Sequence, residues 1–305
     1  MNKEFLDLAE QLKSSVSCTV RLNELMSGHT SFKIGGPADI LVLPESIEQL
    51  REVLKVVKET VVPLTLLGNG SNVLVRDKGI RGIVIKLGNM LRDFYEAEDL
   101  LVFGSGYSLA LASYKAMECG RTGMEFAVGI PGSIGGAVYM NAGAYDGEMQ
   151  NIVNCVKVMD LQGNERVLTA EELNFGYRKT SLQNSGLIVT EVTLKMPSGN
   201  KDEIKSKMDD FSHRRISKQP LEMPSAGSMF KRPPGYFAGT LIDQAGLKGY
   251  TVGGAQISTK HAGFVVNVGG ATAADVLQLI KDVQTKIKAG VGVELQPEVL
   301  VIGEE

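Results

Sequence analysis

Seventeen residues, GIPGSIGGAVYMNAGAY at 129–145, contain Gly129, Gly132, Gly135, Gly136 and Gly143. Glycine lets the backbone take positive-φ turns and approach a ligand closely. Such turns aim successive N–H groups inward as an anion-binding nest. Within this stretch, SIGGAVYMNA reads as a short helix whose exposed N-terminus would face that anion. A second turn, inside LLGNGSNVLV at 66–75, offers Gly68, Asn69, Gly70, Ser71 and Asn72, which have little to pack and much to hydrogen-bond. Two phosphate-type cradles in one chain point to a ligand with a long diphosphate, such as a dinucleotide cofactor.

Three further segments carry polar groups outside any periodic pattern. PSAGSMFKRPPG (224–235) surrounds Ser228 with small residues and follows it with an aromatic, Lys231, Arg232 and prolines. It lacks the G-x-S-x-G elbow of an acyl-enzyme nucleophile, so Ser228 suits hydrogen bonding or proton donation. FGYRKTSL (175–182) sets Arg178 between aromatics and hydroxyls, and ELQPEVLVIG (294–303) presents Glu298 at the entry to a final apolar strand. HRRISK (213–218) reads equally as the solvated end of a helix, where cations are favourable, or as a phosphate or carboxylate clamp. His29, His213 and His261 stand apart from one another and from the cysteines, with no H-E-x-x-H spacing, so no metal site is expected. GNGSNV and GSGYSL both break the final position of the Rossmann fingerprint, and no P-loop occurs. This argues against a nucleotide kinase, and a dinucleotide must be held by a different scaffold.

These groups need elements to position them. Apolar spacing predicts helices over 2–14, 46–59, 108–119, 202–218, 237–246 and 273–288, with Ser46 and Gln49 forming a capping-box pattern. Thr169 with Glu172 predicts another short helix over 170–175. ADILVLP (38–44) and PLTLL (63–67) read as strands flanking the 46–59 helix, a β-α-β order covering the first 80 residues. Residues 81–198 are richer in short strands: GIVIKL, LLVFG, NCVKVMDL and LIVTEVTLKM, with a hairpin turn at Gln162–Glu165. MPSGNK (196–201) is the best linker candidate, and the helices and strands beyond it predict an α+β C-terminal domain.

A chain of this length predicts two or three subdomains, and 43% apolar residues suffice for ordinary cores. The net charge of −3 provides no field for nucleic acid or anionic membrane. Cys18, Cys119 and Cys155 form no paired framework or C-x-x-C motif, which predicts reduced thiols in a cytosol. The charged, amphipathic N-terminus is unlike a signal peptide, and no apolar run approaches the ~20 residues a bilayer span needs. A cytoplasmic, soluble monomer with small-molecule partners is the expectation.

Taken in order, SFKIGGPAD (31–39), GNGSNVLV, GIPGSIGGAVYMNAGAY, FGYRKTSL, PSAGSMFKRP and LQPEV closely resemble the UDP-N-acetylenolpyruvoylglucosamine reductase family over nearly the whole chain. The resemblance implies an α+β fold. It comprises a two-lobed FAD-binding domain of the vanillyl-alcohol-oxidase (PCMH) type at 1–198, with lobes at about 1–80 and 81–198, and a substrate-binding domain at 199–305. It also implies FAD as cofactor, NADPH as hydride source and a UDP-sugar as substrate, reduced to UDP-N-acetylmuramate for peptidoglycan. By resemblance, Gly68, Asn69, Gly70, Ser71, Asn72, Gly132, Ser133, Gly135 and Gly136 contact the flavin diphosphate, and Ile188 and Arg215 reach the flavin. Arg178, Ser228 and Glu298 fall on the catalytic positions, and Lys218, Lys231 and Arg232 on the sugar-nucleotide side. One departure is visible: no tyrosine lies between Arg178 and Ser228, so the chain resembles the shorter form, which lacks the tyrosine-bearing segment that folds over the substrate. Another flavoenzyme on the same scaffold, an alcohol or sugar oxidase, is the nearest alternative, though several of those tether flavin through a histidine in the first glycine loop and GNGSN has none.

The implied chemistry suits these residues. Hydride added to the terminal carbon of a vinyl ether leaves negative charge on the neighbouring carbon and its carboxylate, which fixed cations and hydrogen bonds stabilise best where water is excluded. Arg178 offers a planar, permanently charged fork to the carboxylate. Glu298 helps if its carboxyl is protonated or hydrogen-bonded to another donor. Ser228 then supplies the proton, a contribution of about 10²–10⁴-fold, and Lys231 or Lys218 meets the alkoxide left behind.

Overall fold

The computed structural model describes residues 3–88 and 91–305, so residue 2 of the expected first helix lies outside the described residues. The chain opens with α1 (Lys3–Ser15), β1 (Thr19–Leu25), β2 (Pro37–Leu43), α2 (Ile47–Lys58), β3 (Leu64–Leu67), β4 (Val73–Val75) and β5 (Ile80–Lys86). β1, β2, β5 and β3 lie in that order in one sheet, with β3 and β5 parallel. Alternate strand residues share a face. Ile40, Val42, Leu64, Leu66, Ile83 and Ile85 accordingly join Leu8 and Leu12 of α1 and Leu50, Val53 and Leu54 of α2 in one apolar cluster. A side chain of this kind stabilises by about 1.5–3 kcal/mol when it is fully buried. Ser46 caps α2 by accepting from the Gln49 amide at 3.2 Å, but Gln49 Oε1 accepts from the Glu45 amide rather than closing the reciprocal box on Ser46. GIVIKL was expected with the later strands. It completes this first sheet instead, because parallel pairing with β3 puts Ile83 and Ile85 over α1 and α2.

The next stretch holds β6 (Phe94–Ala97), β7 (Leu100–Gly104), α3 (Leu109–Glu118), α4 (Ile134–Tyr139), β8 (Gly143–Ala144), β9 (Gly147–Glu148), β10 (Val153–Met159), β11 (Glu165–Thr169), β12 (Ile188–Lys195) and α5 (Lys201–Lys218). Strands β11, β10, β12, β7 and β6 form an antiparallel sheet in that order. Phe103, Val156, Val192 and Leu194 pack with Ala112, Ala116, Ile134 and Val138 of α3 and α4. Asp160 makes the β10–β11 hairpin, its carboxylate accepting from the Gln162 and Asn164 amides at 2.9 Å.

Residues 170–174 form turns, not the expected helix. Both capping-box bonds are made, from the Thr169 amide to Glu172 and from the Glu172 amide to Thr169 Oγ1, yet Asn174 at φ 43° leaves the helical region. A satisfied cap cannot propagate where the next residue turns away. MPSGNK is also no free link: the Thr122 amide donates to Pro197 and the Gly199 amide to Gly120.

The last stretch comprises β13 (Ser225–Ser228), α6 (Ala238–Gln244), β14 (Thr251–Val252), β15 (Ala255–Ile257), β16 (Phe264–Asn267), α7 (Ala273–Val291) and β17 (Leu300–Ile302). β13, β16, β15 and β14 make a four-stranded sheet, and β17 pairs in parallel with β4. Val276, Leu279, Ile280, Val283 and Ile287 of α7 pack with Ile257 and Val265 of that sheet. Thr272 and Asp275 close a full capping box at the start of α7, and Asp77 adds bonds to the Ala273 and Ala274 amides at 2.7 and 2.9 Å. The helix ends at Gly292, whose φ of 73° is a position that glycine tolerates without strain.

The described residues fall into two compact units. The first unit takes residues up to Leu22, Ile40–Asn69 and Gly82–Arg214; the second takes Asn23–Asp39, Gly70–Arg81 and Arg215–Glu305. No helix among the described residues is long and apolar enough to cross a membrane.

Candidate active site

In the first unit, the two glycine segments meet at Ser133. A Cβ placed on either Gly68 or Gly136 would lie 3.3 Å from Ser133 Oγ. Ser133 is 5% exposed and caps α4, accepting from the Gly136 amide at 3.3 Å. The other first-turn amides of α4 are also spent: Ile134 donates to Tyr107 O and Gly135 to Ser105 O, each at 2.9 Å. The expectation of an exposed helix N-terminus facing an anion is therefore corrected, because protein oxygens already occupy those donors.

The open donors lie one step earlier, in the loops. The amides of Gly68, Asn69, Gly132 and Ser133 have no acceptor among the described residues, and Gly132 holds φ at 126°. This is a cradle of main-chain donors, and its chemistry fits a diphosphate. Gly135 serves by close approach, since a Cβ there would sit 2.8 Å from Ser105 Cβ. Lys86, the register partner of Leu67 and thus beside the first loop, is half-buried, and loss of solvent holds its ammonium pKa down. In the second unit, Gly70 O accepts from the Ser31 amide, and Asn72 uses its carbonyl on Leu300 and its Nδ2 on Glu298 O at 3.2 Å.

Arg178, in the first unit, sits at φ 54° in the left-handed region, uncommon for a residue with a side chain. Its Nη1 donates to Asn141 O at 3.2 Å and its Nη2 to Gly143 O at 3.0 Å. Its guanidinium also lies 4.9 Å from the centre of the Tyr177 ring. The turn that carries it is stitched to the end of α4 by Thr180 Oγ1 and Gln183 Nε2, both donating to Tyr139 O. Asn141, fully buried, was not singled out by sequence reasoning; an asparagine just after a helix, followed by Ala-Gly, was the available signal.

Ser228 and Glu298 lie together in the second unit. Ser228 ends β13 opposite Phe264 and is exposed. One residue on, Met229 O accepts from the Glu298 amide at 2.9 Å, and the Lys231 amide donates to Gln296 O at 2.8 Å. The 228–231 and 296–298 segments are thus held as neighbours by main-chain bonds. Arg232 stacks on Phe237 with 4.0 Å from guanidinium carbon to ring centroid. Lys218 is exposed, whereas Arg215 is 8% exposed with Nη1 on Gln219 Oε1 at 3.1 Å. Ile188, in the first unit, is 2% exposed in the core with α1 and α2, so its side chain is spent on that core. His261 accepts from the Gly263 amide through Nδ1 at 3.0 Å and stands edge-on to Phe264. Burial is the main cause pushing its pKa down, with Lys248 and Lys218 adding to the effect. His29 bonds Glu24 at 2.9 Å, and all three cysteines are free.

Known protein families match the chain in two regions. A family model of FAD-binding domains matches residues 38–169, and one described as the UDP-N-acetylenolpyruvoylglucosamine reductase C-terminal domain matches residues 219–302. The chain is 50% identical over 302 residues to a reductase of that name from Clostridium perfringens strain SM101, covering 99% of this chain and 98% of the other. A second, from Clostridioides difficile strain 630, is 49% identical over 286 residues, 94% of each chain. The crystal structure of UDP-N-acetylenolpyruvylglucosamine reductase from Thermus caldophilus superposes with a TM-score of 0.79 at 38% identity, over 94% of this chain and 99% of that one. Identity of about half over nearly the full length of both chains leads to one conclusion: the chain belongs to the UDP-N-acetylenolpyruvoylglucosamine reductase family.

Proposed function

We propose that this chain uses NADPH to reduce the enolpyruvyl ether of UDP-N-acetylglucosamine to UDP-N-acetylmuramate, a cytoplasmic step of peptidoglycan synthesis, and that it acts as a monomer. The observation that carries this reading is the 50% identity to a reductase of that name over 302 residues. The free cysteines fit a reducing compartment. The matched segments support assigning FAD to residues 1–198 and the sugar nucleotide to residues 199–305.

FAD, when bound, would supply the hydride chemistry that links NADPH to the terminal carbon of the enol ether. The protein's part is to hold and to protonate. The loop amides of Gly68, Asn69, Gly132 and Ser133 grip the diphosphate, with Gly70, Ser71 and Asn72 completing the first loop, and Gly135 and Gly136 serve by letting the start of α4 pack closely on Ser105 and Ser133. Ile188 and Arg215 complete the flavin contacts. Arg178, its fork braced by two carbonyls, receives the substrate carboxylate as charge builds there. Glu298 hydrogen-bonds the same charged region. Ser228 donates its hydroxyl proton to the carbon bearing the ether oxygen: the O–H bond breaks, the C–H bond forms, and the alkoxide is met by Lys231 or Lys218 before solvent reprotonates it. Arg232 and Lys218 hold the diphosphate of the sugar nucleotide.

Spectroscopy of purified protein tests the reading. The expected preparation is yellow, bleaches with anaerobic NADPH, and recovers its colour when the UDP-enolpyruvyl sugar is added. A colourless protein that takes up no FAD would overturn it. Reoxidation only by oxygen, with release of peroxide, would assign the chain to the oxidases instead.

A further inference from the structure

We propose that Asn141 is the positioning residue that holds Arg178 in its working geometry; this rests on the reading that Arg178 receives the substrate carboxylate. Asn141 is fully buried and takes φ 42°, a conformation that asparagine tolerates better than most side chains. Its carbonyl accepts from Arg178 Nη1 at 3.2 Å, at the tip of the guanidinium. Its side chain acts at the other end of the same residue, with Nδ2 donating to Gly176 O at 3.0 Å.

Gly176 is the base of the turn that bears Arg178. The Gly176 amide donates to Lys179 O at 2.9 Å and the Lys179 amide to Gly176 O at 3.1 Å, closing a tight loop around residues 177 and 178. One buried amide group thus pins the root of the turn while its own main chain pins the tip of the side chain. Asn141 is in turn fixed from behind. Its Oδ1 accepts from the Gln150 amide at 3.0 Å, and Nδ2 also reaches Glu148 Oε2 at 3.2 Å.

The bracing is needed because Arg178 holds a positive φ that its own backbone disfavours. Without Asn141 the turn has a ready route back to ordinary φ, and the guanidinium would leave the position that its carbonyl partners define. Displacement of a catalytic group by about 1 Å costs on the order of 10²-fold.

The test is a double-mutant cycle read on the separate half-reactions. Asn141→Asp keeps the shape, the Oδ1 acceptor and tolerance of positive φ, but replaces the donor facing Gly176 O with an acceptor. We expect normal FAD content, a normal rate of flavin reduction by NADPH, and reoxidation by the UDP-enolpyruvyl sugar slowed about 10²-fold. In an Arg178→Lys background the same substitution is expected to change reoxidation less than threefold, because the group it serves is gone. Equal fold-losses in both backgrounds would overturn the proposal and make Asn141 a general structural residue, as would an unchanged reoxidation rate in Asn141→Asp alone. If Arg178→Lys by itself left reoxidation intact, the reading of Arg178 would fall, and the proposal with it. Should Asn141→Asp lose its flavin, Asn141→Gly, which accepts φ 42° and keeps the carbonyl, enters the same cycle with the same criteria.

Discussion

Arg178→Lys is the sharpest test of the carboxylate site, because it removes geometry while keeping charge. A guanidinium has five N–H donors in a rigid fork. Here one donor on Nη1 and one on Nη2 go to the carbonyls of Asn141 and Gly143, at 3.2 and 3.0 Å. Those two bonds brace the fork that would receive the carboxylate. A lysine ammonium is a single point on a flexible stem and cannot hold two carbonyls and a bidentate carboxylate at once. The backbone strain at φ 54° is common to both side chains and drops out of the comparison. What is lost is one donor to charge that develops in the transition state, worth about 2.7–4 kcal/mol or roughly 10²–10³-fold in rate. Substrate binding should weaken by less, since the ground-state carboxylate still meets a cation. The assay is anaerobic stopped flow, mixing the NADPH-reduced variant with the UDP-enolpyruvyl sugar and following flavin absorbance, with the reduction step as internal control. A variant that reoxidises at more than about half the wild-type rate would show that Arg178 is a surface cation, and the mechanism would have to be redrawn.

Three further outcomes are expected. Ser228→Ala should keep bound flavin and its reduction by NADPH but lose substrate reduction by about 10²–10⁴-fold; unchanged turnover would remove the hydroxyl from the mechanism. Gly135→Ala introduces a Cβ 2.8 Å from Ser105 Cβ and 3.0 Å from Ser105 O, so overpacking should cost about 1–3 kcal/mol. Thermal unfolding would fall by several degrees, and the flavin-to-protein absorbance ratio would fall with it; a wild-type melting temperature would mean that the two segments are not in tight contact. The His261 pKa is pushed below its usual value by burial, so the unfolded chain takes up that proton first as the pH drops. Its contribution to stability is complete above about pH 6.5 and is lost as the pH falls from there through the folded-state pKa. Denaturant unfolding between pH 7 and 5 should therefore show a steeper loss for wild type than for His261→Gln, and parallel curves would contradict the burial of that ring.

Local signals in this chain determined local structure. Ser46, Ser108, Ser133 and Thr272 stand where N-caps are found, and the stripe Val276, Leu279, Ile280, Val283, Ile287 predicts the buried face of α7. The glycine runs marked the segments that meet at Ser133, and the small polar stretch around Ser228 marked a reactive loop. Caps and stripes work at a range of three or four residues, so the chain itself displays them. Tertiary structure decided what those faces meet. Hydrophobic spacing records that a strand is buried without recording its neighbour, so β5 joining β3, and β17 joining β4 across more than two hundred residues, were not legible. The same limit hid the accounting of donors at α4, where carbonyls from residues 105 and 107 occupy the amides that the glycine pattern had reserved for an anion. It hid Asn141 as well. A side chain that joins residues 141, 150 and 176 leaves no periodic trace, because its partners are adjacent only once the chain has folded.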